Sequence, residues 1–84
     1  MSGCHWSASQ QVVEQLLQVR GTRQRQKLTD FFDRLTGDPE GMSEGQFSDE
    51  EGNVYHLVVF ERWLITYHID HAAKQVNVLA LELS

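Results

Sequence analysis

The apolar residues of this 84-residue chain change their period once, from helical to strand-like, and that single change calls for an α+β fold. Between Ser7 and Val19 they fall at Val12, Val13, Leu16, Leu17 and Val19, one face of a helix, with Gln10, Gln11, Glu14, Gln15 and Gln18 elsewhere. Leu28, Phe31, Phe32 and Leu35 then repeat the i, i+3, i+4, i+7 stripe of a second helix. From Asn53 onward β-branched and aromatic residues dominate, and three strands are expected: Asn53 to Phe60, Trp63 to Asp70, and Gln75 to Leu83. Ser7 with Gln10 fits a capping box, with Ser9 as the other cap, and Gly21 is placed to end the first helix. Thr22 can cap the second helix, which Gly37 and Pro39 stop. A link of about two residues predicts an antiparallel helical hairpin.

The chain divides into a hairpin at 7–36, an acidic loop at 37–52 and a β-meander at 53–83, all in one domain spanning 1–84. The loop holds Asp38, Glu40, Glu44, Asp49, Glu50 and Glu51 and no basic residue. It reads as a solvated segment, mobile in part; the alternative is a gate that excludes nucleic acid or contacts a basic partner. Phe60-Glu61-Arg62 lacks the Asn-Gly or Gly-X chemistry of two-residue hairpins, so a three-residue loop is expected. That register puts Tyr55, Leu57 and Val59 with Trp63, Ile65 and Tyr67 under the helices. Val54, His56 and Val58 then share the outer face with Leu64, Thr66 and His68; a one-residue slip would exchange them. Cys4-His5-Trp6 can add an edge strand, for an order (β)-α-α-β-β-β.

A domain this small buries only about 60% of its unfolded surface, which argues against a large internal substrate cavity. The single cysteine, Cys4, excludes an internal disulfide framework and four-cysteine zinc sites. Neither a signal peptide nor a membrane span is visible, so the expected location is cytoplasmic. Net charge is -5, unevenly spread: residues 1–37 carry five basic against three acidic residues, and the remainder two against nine. Attraction for phosphates, if any, therefore lies between Arg20 and Arg34.

The order and lengths of these elements resemble the RelE/ParE superfamily, the small toxins of bacterial type II toxin-antitoxin systems, also known from plasmid stabilization. The likeness runs through Ser9 to Leu16, Arg23 to Leu35 with Gly37-Asp38-Pro39, Tyr55 to Phe60, Trp63 to Asp70 and Gln75 to Leu83. It implies a helical hairpin packed on a small antiparallel sheet and an antitoxin that wraps the toxin. It also implies a target, either mRNA on the ribosome or DNA gyrase. RNA-cleaving members place Lys, Arg, His, Glu or Tyr on the exposed face and at the C-terminal end of the sheet, to activate a 2′-hydroxyl and stabilise phosphorane-like charge.

Here that face offers His56 and then Val58, Leu64 stands at the arginine position after Trp63, and the chain ends at Leu83-Ser84. His56 and Arg62 are the candidate catalytic residues, and mRNA cleavage is disfavoured. Arg20, Arg23, Arg25, Lys27 and His68 are the candidate partner-binding residues, since guanidinium groups suit paired contacts with carboxylates. His68, Asp70 and His71 lack an evident fourth metal ligand, so neither a metal nor a cofactor is expected. The sequence therefore favours a toxin component acting through protein–protein binding; the alternative is a non-toxic interaction module that has kept the fold. A homo-oligomer is compatible with either.

Overall fold

A computed structural model describes residues 5–83. Cys4, the first residue of the expected edge strand, lies outside the described residues. The elements run β1 (His5–Ala8), α1 (Gln10–Gln18), α2 (Thr22–Leu35), β2 (Gly45–Ser48), β3 (Val54–Phe60), β4 (Trp63–Asp70) and β5 (Gln75–Leu83). The five strands form one sheet in the order β1-β5-β4-β3-β2. β1 lies parallel to β5 and the other pairs are antiparallel, so the sheet is mixed rather than purely antiparallel. Two helices between β1 and the meander supply the long crossover that a parallel pair requires.

Ser9 caps α1: its Oγ accepts from Val12 N–H at 3.3 Å and donates to the Leu79 carbonyl at 3.2 Å. That carbonyl belongs to a register shift in β5, where Thr66 faces Ala80 but Tyr67 faces Val78, leaving Leu79 without an opposite residue. The first helix thus starts on an irregularity of the sheet. α2 begins one residue earlier than expected at its cap: Gly21, at φ 88°, holds the N-cap position and Thr22 is already helical. Leu28, Phe31, Phe32 and Leu35 are all buried, as their spacing predicts.

These side chains meet Val58 of β3, Ile65, Tyr67 and Ile69 of β4, and Val76, Val78 and Leu81 of β5 in one core, with Val12 from α1. Phe31 stacks on Phe60 at 4.3 Å between centroids, and Trp6 meets the Phe32 edge at 5.0 Å. The Trp6 indole N–H also donates to Asp33 at 2.8 Å, tying β1 to α2.

Two expectations are corrected. The acidic segment contains strand β2, paired to β3 from Gly45↔Leu57 to Ser48↔Val54. The β3–β4 loop has two residues, not three, because Phe60 pairs directly with Trp63. Glu61 accepts a left-handed φ of 56° in that turn without being glycine. The face assignment of β3 is therefore exchanged: His56 and Val58 face the helices, whereas Tyr55, Leu57 and Val59 face outward.

Candidate functional site

The sheet surface opposite the helices is open. It carries Tyr55, Leu57 and Val59 of β3, Leu64, Thr66 and His68 of β4, and Asn77, Ala80 and Glu82 of β5, none of them buried. The register aligns one row across all five strands: Phe47, Tyr55, His68, Asn77 and Ser7. Phe47 and Tyr55 stack at 5.2 Å between centroids, Tyr55 and His68 lie tilted at 6.0 Å, and Ser7 Oγ donates to Asn77 Oδ1 at 2.8 Å. Such a row offers aromatic faces and neutral hydrogen-bonding groups. Lys and Arg are absent from these outward positions of β3, β4 and β5, so the row lacks the ammonium or guanidinium group that would stabilise charge building on a phosphate.

Tyr55 is fixed from below by the turn into β3. Its hydroxyl donates to Asp49 Oδ2 at 3.0 Å, while Asp49 also accepts from the Asn53 amide side chain at 3.0 Å and from the Glu51 and Asn53 backbone N–H groups at 2.9 Å. The bonds from Asn53, with those from Tyr55 and Glu51, hold the Asp49 carboxyl below the usual aspartate range. Reciprocally, donation to Asp49 pushes the Tyr55 phenol above its ordinary value.

His56 occupies a different environment from the one expected of a general base. It is 8% exposed, on the helix-facing side, with its ring stacked on Tyr67 at 5.4 Å. Its Nδ1 lies 2.9 Å from Ser43 Oγ, and the Ser43 hydroxyl donates to the Gly45 carbonyl at 2.8 Å. With that proton committed, the network assigns Nδ1 of His56 as a donor to Ser43. Tyr67, its side chain enclosed, donates its hydroxyl to the Pro39 carbonyl at 2.5 Å, and burial pushes its phenol upward. His56 and Tyr67 together pin the 38–44 segment against the sheet.

Arg62 sits in the β3–β4 turn, beyond the far end of β3 from His56; the strand alone separates His56 from Phe60 by roughly 13 Å at about 3.3 Å per residue. Arg62 and Arg20 line one cavity of about 650 Å³ with Gln18, Gln24, Glu61 and Trp63. Lys27 lies elsewhere, 4.0 Å from Glu61, and shares with Arg34, Phe31 and Phe60 a shallower recess of about 270 Å³. Arg34 covers the Phe31 ring at 5.5 Å. Arg23 is exposed, whereas Arg25 is half-buried with its Nε enclosed and without a hydrogen-bond partner. His68 belongs to the open-face row. The sequence-predicted residues are therefore spread over the core, the surface recesses and the open face; Arg20 and Arg62 share one cavity, and His56 and His68 border a recess of about 230 Å³ with Asn53 and His71.

Sequence reasoning missed Phe47, Tyr55, Asn77 and Ser7 as a set. Their alignment depends on the two-residue turn and on β1 joining β5, neither of which leaves a strong local signature. Among the described residues no group of three or more His, Cys, Asp or Glu side chains is arranged to hold a metal ion, and no helix is long and apolar enough to cross a membrane.

No protein-family model matches the chain, and no curated protein matches it in sequence. Solved structures do. A chain of the toxin-antitoxin complex RelBE2 from Mycobacterium tuberculosis superposes with a TM-score of 0.81 at 13% identity, covering 99% of this chain and 100% of that one. A chain of the archaeal RelE-RelB complex from Pyrococcus horikoshii OT3 superposes with a TM-score of 0.75 at 16% identity, covering 99% of this chain and 96% of that one. The fold is RelE-like. Identities this low establish the architecture and leave the chemistry to the residues present.

Proposed function

We propose that this chain is a RelE-like toxin component that acts by binding proteins, with an antitoxin as its neutralising partner. The observation that carries the reading is a RelE-like fold over nearly the whole chain whose open face holds aromatic and aliphatic groups without Lys or Arg. Such a surface favours apolar and stacking contacts with a protein target, DNA gyrase among the candidates, over in-line chemistry on mRNA. His56, enclosed against Tyr67 and Ser43, and Arg62, at the opposite end of β3, do not form a joint acid–base pair in this arrangement. Arg20 and Arg62 in their shared cavity are the favoured contacts for acidic residues of the antitoxin. Arg23, Lys27 and His68 would contribute at the periphery.

Induced expression should arrest growth, and co-expression of a neighbouring gene product should relieve the arrest. Arg20→Glu should weaken antitoxin capture by more than the ~1 kcal/mol of an exposed charge pair. Absence of arrest would remove the toxin reading and favour the non-toxic interaction module, which an open face without Lys or Arg also fits. Cleavage of mRNA during arrest, lost in both His56→Ala and Arg62→Ala, would overturn the non-catalytic reading.

A further inference from the structure

The sheet ends at β2, and among the described residues no strand pairs with its outer side. All four residues, Gly45, Gln46, Phe47 and Ser48, are exposed, and none is Lys or Pro, the residues that commonly blunt a sheet edge. The Asp49 N–H donates inward to the Asn53 carbonyl at 3.0 Å. By the alternation of an antiparallel ladder, Gln46 and Ser48 then present their main-chain N–H and C=O groups outward. Those groups would complete a further strand.

The charge beside this edge selects the occupant. Between residues 38 and 61 there are seven acidic residues and no Lys or Arg. Glu44 precedes β2, and Asp49, Glu50 and Glu51 follow it. A second copy is disfavoured: antiparallel self-pairing about Phe47, which joins Gln46 of one copy to Ser48 of the other, would set Glu44 against Glu50, a like-charged pair. Nucleic acid is repelled for the same reason. On the open side Phe47, 49% exposed and stacked on Tyr55, offers an apolar seat and a ring face for the stem and head of a lysine or arginine.

We infer that the β2 edge is a docking site for a basic, extended polypeptide segment, which adds as a sixth strand beside β2. Main-chain bonds to Gln46 and Ser48 hold the segment, Phe47 seats its alternate side chains, and the flanking acids supply preference for Lys and Arg. This edge is separate from the Arg20–Arg62 cavity, and the inference holds whether or not the chain is toxic.

The test is an NMR titration of the full chain with a blocked peptide of alternating lysine and valine, read as slowed hydrogen exchange at the Gln46 and Ser48 N–H groups. The expected result is protection of those two amides, affinity that falls with salt, and weakened binding after Glu50→Gln with Glu51→Gln. Gln46→Pro, at an outward-facing N–H, should weaken binding about tenfold, the scale of one lost hydrogen bond that is left unreplaced. A peptide N-methylated along one edge should likewise fail to bind unaltered protein, which keeps the test independent of whether the proline variant folds. The inference is overturned if no alternating peptide binds or if the methylated peptide binds as well as its parent. Equal affinity for a glutamate–valine peptide, or protection of Gln46 and Ser48 that rises with protein concentration alone, would overturn it too.

Discussion

Replacing each of two adjacent valines with alanine tests the register of the whole meander. Val58 is 4% exposed against the helices and Val59 is 48% exposed on the open face. Val58→Ala removes two buried methyl groups, a transfer loss of about 1.6 kcal/mol at ~0.8 kcal/mol per carbon, and the cavity left behind raises this to about 2–3 kcal/mol. Val59→Ala exposes little new surface and opens no cavity, so the cost is about 0.5–1 kcal/mol, chiefly lost strand preference and cross-strand contact with Leu64. The two variants should therefore differ by about 1–2.5 kcal/mol. In urea, with a slope of roughly 1 kcal/mol/M for a domain of this size, that separates the unfolding midpoints by about 1–2.5 M. By heat it is a separation of roughly 4–20 °C, at 4–8 °C per kcal/mol. Equal losses, or the larger loss at Val59, would refute the two-residue turn and restore the exchanged faces.

Other consequences are equally open to measurement. Tyr67→Phe should cost about 1 kcal/mol by freeing the Pro39 carbonyl, and hydrogen exchange should quicken selectively across residues 38–44; uniform quickening would contradict the pinning role. Asp33→Ala should cost about 1 kcal/mol and change the Trp6 indole N–H resonance, since that N–H loses its acceptor. The Asp49 carboxyl is held below its ordinary 3.8 in the folded chain, so its contribution to the β2–β3 turn is complete above that value. It should be lost as pH falls through the lower folded value; Asn53 and Glu51 amide shifts that stay constant through acid titration would contradict this.

The helices and strand ends were legible because their signals are local. Leu28, Phe31, Phe32 and Leu35 mark one stripe, and β4 and β5 match their expected limits, Trp63–Asp70 and Gln75–Leu83, residue for residue. The faces of β3 were not legible, because Leu57, Val58, Val59 and Phe60 are apolar in succession and alternation carries no information there. Register was left to the turn, where Glu61 adopts a left-handed backbone that its chemistry does not advertise. Packing of Val58 and Phe60 against α2 decides the matter instead. That one slip moved His56 from a presumed reactive surface into contact with Ser43 and Tyr67, and brought Tyr55 out beside Phe47 and His68. β2 was hidden for another reason: Gly45-Gln46-Phe47-Ser48 has too little β-branched character to stand out from an acidic loop.

The placement of β5 between β1 and β4 governs the order in which the chain can fold. The strand made last is the one that both neighbours wait for, and β1 meets it across a separation of seventy residues at His5↔Gln75. During synthesis α2 therefore emerges with its stripe of leucines and phenylalanines uncovered until the meander is released behind it. Closure of so distant a pair is slow relative to helix formation. For that interval the nascent chain presents an apolar surface that the finished molecule never shows, and its yield in the cell should depend on how quickly the last strand arrives.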